Sequence, residues 1–292
     1  MHQEAARELS DFIKRTGKSQ QQIAKETTLS PSVISQFLKQ SYKGDNDAVA
    51  KTVSQYLKMA ERRITTPKHV CFYKDMHNTK DVLFACFHAH CQGDIVLVYG
   101  DAGAGKTTAL EYYAKDYSGV VMVTANSCTS SAASILQMIG RKTGKVLAGK
   151  KELLMASLVD YFRNTGRLVI IDEADHLTLS ALQAVRNLND QAGIGIVLSG
   201  NNKIYTQMLQ GSRCSELEQL RTRIVVRRMV RNEYSLEEFK MIFPETSVEC
   251  LPYLIKLATD ESLRTAIKIP ELAYRHTDRM DLETLQAVRH QL

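Results

Sequence analysis

The residues with the plainest chemical purpose are Gly100-Asp101-Ala102-Gly103-Ala104-Gly105-Lys106-Thr107. Their spacing is G-x-x-x-x-G-K-[ST], the pattern of a phosphate-cradling loop. Glycines let backbone N–H groups turn inward around an anion, and a helix starting here adds its positive end. Lys106 is spaced to reach β- and γ-phosphates, and the Thr107 hydroxyl to hold Mg²⁺. The cradle as a whole takes in Gly100 to Thr108. A second group is Leu168-Val169-Ile170-Ile171-Asp172-Glu173-Ala174-Asp175. An apolar strand here delivers Asp172 at its C-terminal end, where it would hold the same Mg²⁺ directly or through water. Glu173, one residue on, falls on the other side of the strand end and is placed to activate a water as general base. An Asp-Glu pair alone is a common exposed turn. An apolar strand in front of it, downstream of a phosphate loop, makes the catalytic reading specific.

These groups need a scaffold, and the hydropathy pattern supplies one. From Val70 onward, strand-length apolar runs (Ile95–Tyr99, Val120–Thr124, Leu168–Ile171, Ile194–Leu198 and Ile224–Val226) alternate with helical stretches. The helices fall near Thr107–Lys115, Ser130–Arg141, Lys151–Arg163, Leu179–Asp190 and Lys203–Gln210. Such alternation predicts an α/β fold, a parallel sheet with helices on both faces. After about Arg231 the pattern is helical, near Ser235–Phe243, Val248–Thr259, Ser262–Tyr274 and Leu282–Gln291. Residues 1–60 read as four short helices, and Ala60–His69, with Thr65-Thr66-Pro67, as a linker. The division expected is therefore 1–64, an all-α domain; 65–231, the phosphate-loop core; and 232–292, a small helical lid.

The phosphate loop, the Asp-Glu strand and the later Leu198-Ser199-Gly200-Asn201 resemble the AAA+ ATPases. The resemblance implies ATP as ligand with Mg²⁺, and hydrolysis to ADP and phosphate. It also implies a polar residue at the end of the next strand, between the phosphate loop and Asp-Glu; Asn201 matches best and Ser199 second. An arginine reaching the nucleotide of a neighbouring subunit is expected in Leu220-Arg221-Thr222-Arg223-Ile224, with Arg223 first, Arg221 second and Arg213 third. Ser262-Leu263-Arg264-Thr265-Ala266 resembles the lid motif whose arginine contacts the γ-phosphate, which points to Arg264.

Residues 18–44 look like a λ-repressor-type helix-turn-helix. Ser30 is a good N-cap and Pro31 suits a first helical position, so the second helix starts there. Val33, Ile34, Phe37 and Leu38 would pack inward, leaving Ser32, Ser35, Gln36 and Lys39 for a groove. Gln22 and Lys43 are further expected DNA contacts. Residues 141–151 hold five basic residues, two glycines and no acid, and so read as a loop between helices. Lys142, Lys145, Lys150 and Lys151 are its expected phosphate contacts.

The charge distribution follows this division. The net charge is +6, mild for 292 residues. Yet residues 1–66 alone hold 11 Lys and Arg against 7 Asp and Glu, and residues 141–151 and 221–231 each hold five basic residues without an acid. The rest of the chain is acidic, so the basic charge is local, as a nucleic-acid partner requires. With 44% hydrophobic and 24% charged residues, disordered and fibrous classes are excluded. The six cysteines form no CxxC pair and the first residues contain no apolar run, so reduced thiols and a cytoplasmic protein are expected. Cys86, His88, His90 and Cys91 invite a metal reading, but on one helix they point several ways, and helix packing is preferred. No run approaches a membrane span.

The domain order narrows the class. A small helix-turn-helix, one AAA+ module and a short helical end resemble the B-type target-DNA activators of Mu-like transposable phages. What this implies is ATP-dependent, non-sequence-specific binding of double-stranded DNA as a helical filament. The filament would activate a transposase, and hydrolysis on contact with the transposase would steer insertion and give target immunity. The alternatives are a sequence-specific regulator with an ATPase motor, a protein-remodelling or secretion-type ATPase, and a helicase loader.

Overall fold

The computed structural model describes residues 2–64, 73–144, 150–209, 214–277 and 281–291. The chain divides into two compact units, Met1–His69 and Val70–Leu292. Among the described residues no helix is long and apolar enough to cross a membrane.

The first unit is four helices: α1 (His2–Thr16), α2 (Gln20–Glu26), α3 (Pro31–Leu38) and α4 (Asn46–Ile64). Local sequence explains the starts. Ser19 accepts from the Gln22 N–H while the Gln22 side chain accepts from the Ser19 N–H, a reciprocal capping box. Ser30 caps α3 by accepting from the Val33 N–H at 3.3 Å, with Pro31 at its first turn. Leu9, Phe12, Ile23, Ile34, Phe37, Val53 and Leu57 close the core, with Val33 and Leu38 partly buried against it. α4 runs further than its apolar period suggested. Ala60 is buried, and Glu61 pairs with Arg15 at 2.9 Å, so the first part of the expected linker is helix.

The second unit is built on a five-stranded parallel sheet in the order β2-β3-β4-β1-β5. The strands are β1 (Ile95–Gly100), β2 (Val120–Thr124), β3 (Leu168–Asp172), β4 (Gly195–Gly200) and β5 (Ile224–Val230). β1, β3 and β4 are buried throughout, which is why they read as unbroken apolar runs. Successive side chains serve opposite layers. Ile95, Leu97 and Tyr99 pack toward α7 (Ala132–Lys142), α8 (Lys151–Phe162), α9 (Leu179–Ala192) and α11 (Cys214–Arg223). Val96 and Val98 pack toward α5 (His77–Gln92) and α6 (Lys106–Asp116). α10 (Asn202–Leu209) follows β4. α11 is a helix the sequence reading did not anticipate; its charged run hides Leu217 and Leu220, spaced i, i+3, which are buried in the core.

The last four helices are α12 (Leu236–Ile242), α13 (Leu251–Asp260), α14 (Leu263–Thr277) and α15 (Leu282–His290). They share a cluster of their own, including Phe239, Leu254, Ala266, Ile269 and Leu285, and Met76 joins it from just before α5. Glu238 ties the two parts: its carboxylate accepts from the His77 N–H at 2.8 Å and the Ser235 N–H at 2.9 Å. Burial pushes the Glu238 carboxyl up, but the Ser235 and His77 donors outweigh it and hold the group below the usual carboxylate range.

The Cys/His group of α5 is dispersed. Cys86 is buried in the core, and that burial pushes its thiol up to about 12. His88 bonds Asp94 at 3.0 Å, His90 bonds the Tyr113 hydroxyl at 3.1 Å, and Cys91 is exposed.

Candidate nucleotide site at the C-terminal ends of the strands

The C-terminal ends of parallel strands are where an open α/β sheet leaves a crevice. Here β1 ends at Gly100 and hands over to the loop, and Gly105 caps α6 with φ 92°. The first turn of α6 therefore presents its unpaired N–H groups to the loop, with Thr107 and Thr108 exposed on it. Gly103 is required by close approach. A Cβ there would lie 2.7 Å from Ser262 Cβ, so the loop and the start of α14 are packed together. Asp101 tethers the loop. It accepts from the Asn232 N–H at 3.0 Å and the Asn202 side chain at 3.3 Å. Its own N–H donates to the Val230 carbonyl at 2.9 Å, and the Asn232 side chain donates to the Ala102 carbonyl at 3.3 Å. Ala104, within the loop, is buried in the core on the α5 and α6 side of the sheet.

Lys106 is folded back over this loop. Its Nζ donates to the Gly100 carbonyl at 3.0 Å and the Asp101 carbonyl at 2.7 Å. Burial lowers its pKa below the ordinary lysine value, a shift that Asp172, Glu173, Asp101 and Asp175 oppose without cancelling. The Thr107 hydroxyl donates to Asp172 at 2.7 Å, and the Ser199 hydroxyl to the other Asp172 oxygen at 2.8 Å. Asp172 is only 2% exposed, so these two donors stand in for the water its buried oxygens lose. Its acid oxygens and the Thr107 hydroxyl are the hard oxygen ligands that Mg²⁺ takes.

Glu173 holds φ 54°, ψ 37°, a left-handed conformation that non-glycine residues rarely adopt. Strain of this kind costs about 1–3 kcal/mol and gathers at functional positions. Asn201 makes no hydrogen bond to Asp172 among the described residues. Its side chain donates to Asp175 at 2.8 Å, and its N–H donates to the same carboxylate at 3.2 Å. Of the two polar residues expected at the end of β4, Ser199 is thus the one on the Asp172 carboxylate, and Asn201 is fixed one step outward. Asp175, Asn202 and Asn232 had no role in the sequence reading. The Asp172–Asp175 spacing was visible, but only the fold shows that Asn201 lies against it. Glu173, Asp175 and His176 also lie together, with ligand atoms within 4.8 Å.

Among the arginines, Arg264 sits in the first turn of α14, two residues beyond Ser262. It is exposed and makes no ion pair among the described residues. Arg223 lies elsewhere. It ends α11 where Ile224 pairs with Ile95, whereas Val230 pairs with Gly100 at the loop. The length of β5, roughly 20 Å, separates it from its own phosphate loop. Arg221 lies 3.8 Å from Glu218, and Arg213 is outside the described residues.

The residues read as DNA-facing are mostly on the surface. Ser32, Gln36, Lys39 and Lys43 are exposed and Ser35 is half-buried. Gln22 is exposed, though its side-chain carbonyl is engaged at Ser19 at 2.8 Å. Lys142, Lys150 and Lys151 are exposed at the facing ends of α7 and α8, and Lys145 lies outside the described residues.

Sheet order, phosphate loop and acidic strand end together define an AAA-class phosphate-loop domain, and residues 90–208 match the model of the family described as AAA domain. Over 198 residues the chain is 33% identical to the Mu-like prophage FluMu DNA transposition protein B of Haemophilus influenzae, covering 66% of this chain and 68% of that protein. Over 207 residues it is 32% identical to the ATP-dependent target DNA activator B of Escherichia phage Mu, covering 70% of this chain and 66% of that protein. The chain belongs to this family of Mu-type transposition B proteins. The matched stretch spans about two thirds of these relatives. A solved structure, Drosophila ORC bound to DNA, superposes with a TM-score of 0.53 over 75% of this chain and 62% of its own, at 16% identity, a likeness of fold alone.

Proposed function

We propose that this chain is an ATPase that assembles on duplex DNA when ATP is bound and activates that DNA as a transposition target. The observation that carries the reading is the convergence of Lys106, Thr107 and Asp172 on one loop, in a chain whose relatives are named ATP-dependent target DNA activators. Lys106 leaves two backbone carbonyls for the β- and γ-phosphates, and the amides of the loop cradle them. Mg²⁺ would be held by Thr107 and Asp172, and when bound it neutralises phosphate charge. Glu173 takes the proton of the attacking water. Asn201, fixed by Asp175, helps orient that water. Arg264 contacts the phosphates from the lid, and Arg223, too far to serve its own loop, serves the nucleotide of a neighbouring copy.

That last assignment links nucleotide to assembly. ATP bridged between copies stabilises the assembled form, and many weak DNA contacts then add up to tight binding. The contacts come from Gln22, Ser32, Ser35, Gln36, Lys39 and Lys43 of the helix-turn-helix, and from Lys142, Lys145, Lys150 and Lys151. Loss of the bridging γ-phosphate releases the helical filament. Contact with a transposase triggers this step in the host cytoplasm and gives target immunity.

Binding of unrelated duplexes, measured with ATP, ADP or no nucleotide, tests the reading. Affinity should require ATP, be alike for all sequences, and fall roughly tenfold or more between about 50 and 200 mM salt. Binding indifferent to nucleotide, or a flat salt response, would overturn it. A single footprint would identify a sequence-reading regulator instead.

A pH dependence follows from Lys106. Phosphates favour its charged form, so its pKa rises on nucleotide binding from the lowered value of the free protein. ATP affinity should therefore be lost as pH climbs above that lowered value, by at most about tenfold per pH unit for one proton. Titration of a fluorescent ATP analogue from neutral to alkaline pH measures this. In Lys106→Arg, which stays charged, the alkaline loss should vanish.

A further inference from the structure

The neighbour-serving arginine is itself held. Arg223 Nε lies 3.1 Å from one oxygen of Asp190, near the end of α9. The other Asp190 oxygen faces Arg186 Nε at 3.7 Å. Arg186 is pinned in turn: one terminal nitrogen donates to the Gln219 side chain on α11, the other to the Asn187 side chain at 2.7 Å. Its Nε is buried and makes no hydrogen bond. One carboxylate thus stands between two guanidinium groups at the α9–α11 seam.

This arrangement has two consequences. Like charges so close repel, and the shared carboxylate sets where each can rest. Asp190 also engages Arg223 through Nε, while the terminal nitrogens of Arg223 have no partner among the described residues and the side chain is 59% exposed. The planar fork is held at its base with its two outer donors available, the form in which arginine binds phosphate best. The site also carries one positive charge more than Asp190 can neutralise, which favours an incoming anion.

We propose that Asp190 is the positioning residue for Arg223, fixing it for the triphosphate bound by the next copy, with Arg186 as the strut that fixes Asp190. The proposal rests on the reading of Arg223 as the residue acting between copies.

Mixed assemblies test both separately. A donor carrying Glu173→Gln offers its arginine but lacks its own base. An acceptor carrying Arg223→Ala keeps its base but offers no arginine. Mixed on DNA with ATP, they should recover turnover that neither shows alone. Adding Asp190→Asn to the donor should cut that recovery about tenfold or more, since small misplacements of a catalytic group are costly. Asp190→Glu in the donor should restore part of it. Asp190→Asn in the acceptor, where Arg223 is already gone, should leave recovery unchanged. Full recovery with the Asp190→Asn donor would overturn the proposal and leave the Arg223 reading intact. An equal loss whichever copy carries the change would mean a merely structural role. No recovery in the parent mixture would remove the Arg223 reading and this proposal with it.

Discussion

Lys106→Ala is expected to abolish ATP-dependent DNA binding while leaving the protein folded. The ammonium makes only two hydrogen bonds to loop carbonyls, at 3.0 and 2.7 Å, and is partly desolvated to make them. Removing it therefore costs the free protein little. In the complex the same group faces the most concentrated negative charge of the ligand, where a charge-assisted contact is worth about 1.5–3 kcal/mol or more. A loss of ATP affinity of at least about tenfold follows at 1.4 kcal/mol per factor of ten. The effect on DNA should be larger still, because every bridged interface in the assembly loses the same increment. Nucleotide titration and a DNA-shift assay with and without ATP measure the two losses. An unchanged melting temperature beside a lost DNA shift is the expected pair. DNA binding that survives the substitution would uncouple the phosphate loop from assembly.

Glu173→Gln should have the opposite phenotype, with ATP bound, DNA held and turnover lost. Glutamine keeps the shape and the left-handed backbone but cannot accept a proton. Removing a general base costs about 10²–10⁴-fold in rate. DNA complexes that dissociate on hydrolysis should then persist, which a chase with excess unlabelled duplex would show. Rapid turnover in this variant would assign the base elsewhere. Glu173→Gly separates chemistry from strain: it should be as inactive, yet no less stable, since glycine relieves the φ of 54°.

Much of this site was legible in the linear chain because its chemistry is local. The loop from Gly100 to Thr107 needs its glycines, lysine and threonine at fixed offsets, and Asp172 and Glu173 need only an apolar strand before them. The three central strands were legible for a related reason, whereas β5 runs to Val230, past the expected end at Val226, because its arginines break the apolar run. A parallel sheet covered on both faces must be apolar at nearly every position, so β1, β3 and β4 stand out without any neighbour being known. The helices of the first unit announced themselves through Ser19, Ser30 and Pro31, whose caps act within three residues.

What composition and spacing could not supply is contact between distant segments. Ser199 on Asp172, Asn201 on Asp175 and Asn232 on Asp101 join residues from different strand ends, and no periodicity encodes which acid each will meet. Helix α11 was missed because its two buried leucines are outnumbered by the four charged residues of the same run. The arginines show the division most clearly. The resemblance gives Arg223 to a neighbouring subunit's nucleotide and Arg264 to the γ-phosphate, but motif order carries no distances. Folding puts Arg264 two residues past a serine packed on Gly103, and sends Arg223 to the far end of β5, beside Asp190. Residue spacing was enough to mark Gly100 to Thr107, Asp172 and Glu173 as candidates for handling phosphate, because that chemistry is written in short range. Distance across the sheet belongs to the fold: it leaves Arg264 beside the chain's own loop and Arg223 roughly 20 Å from it, the spacing on which the proposed role between copies rests.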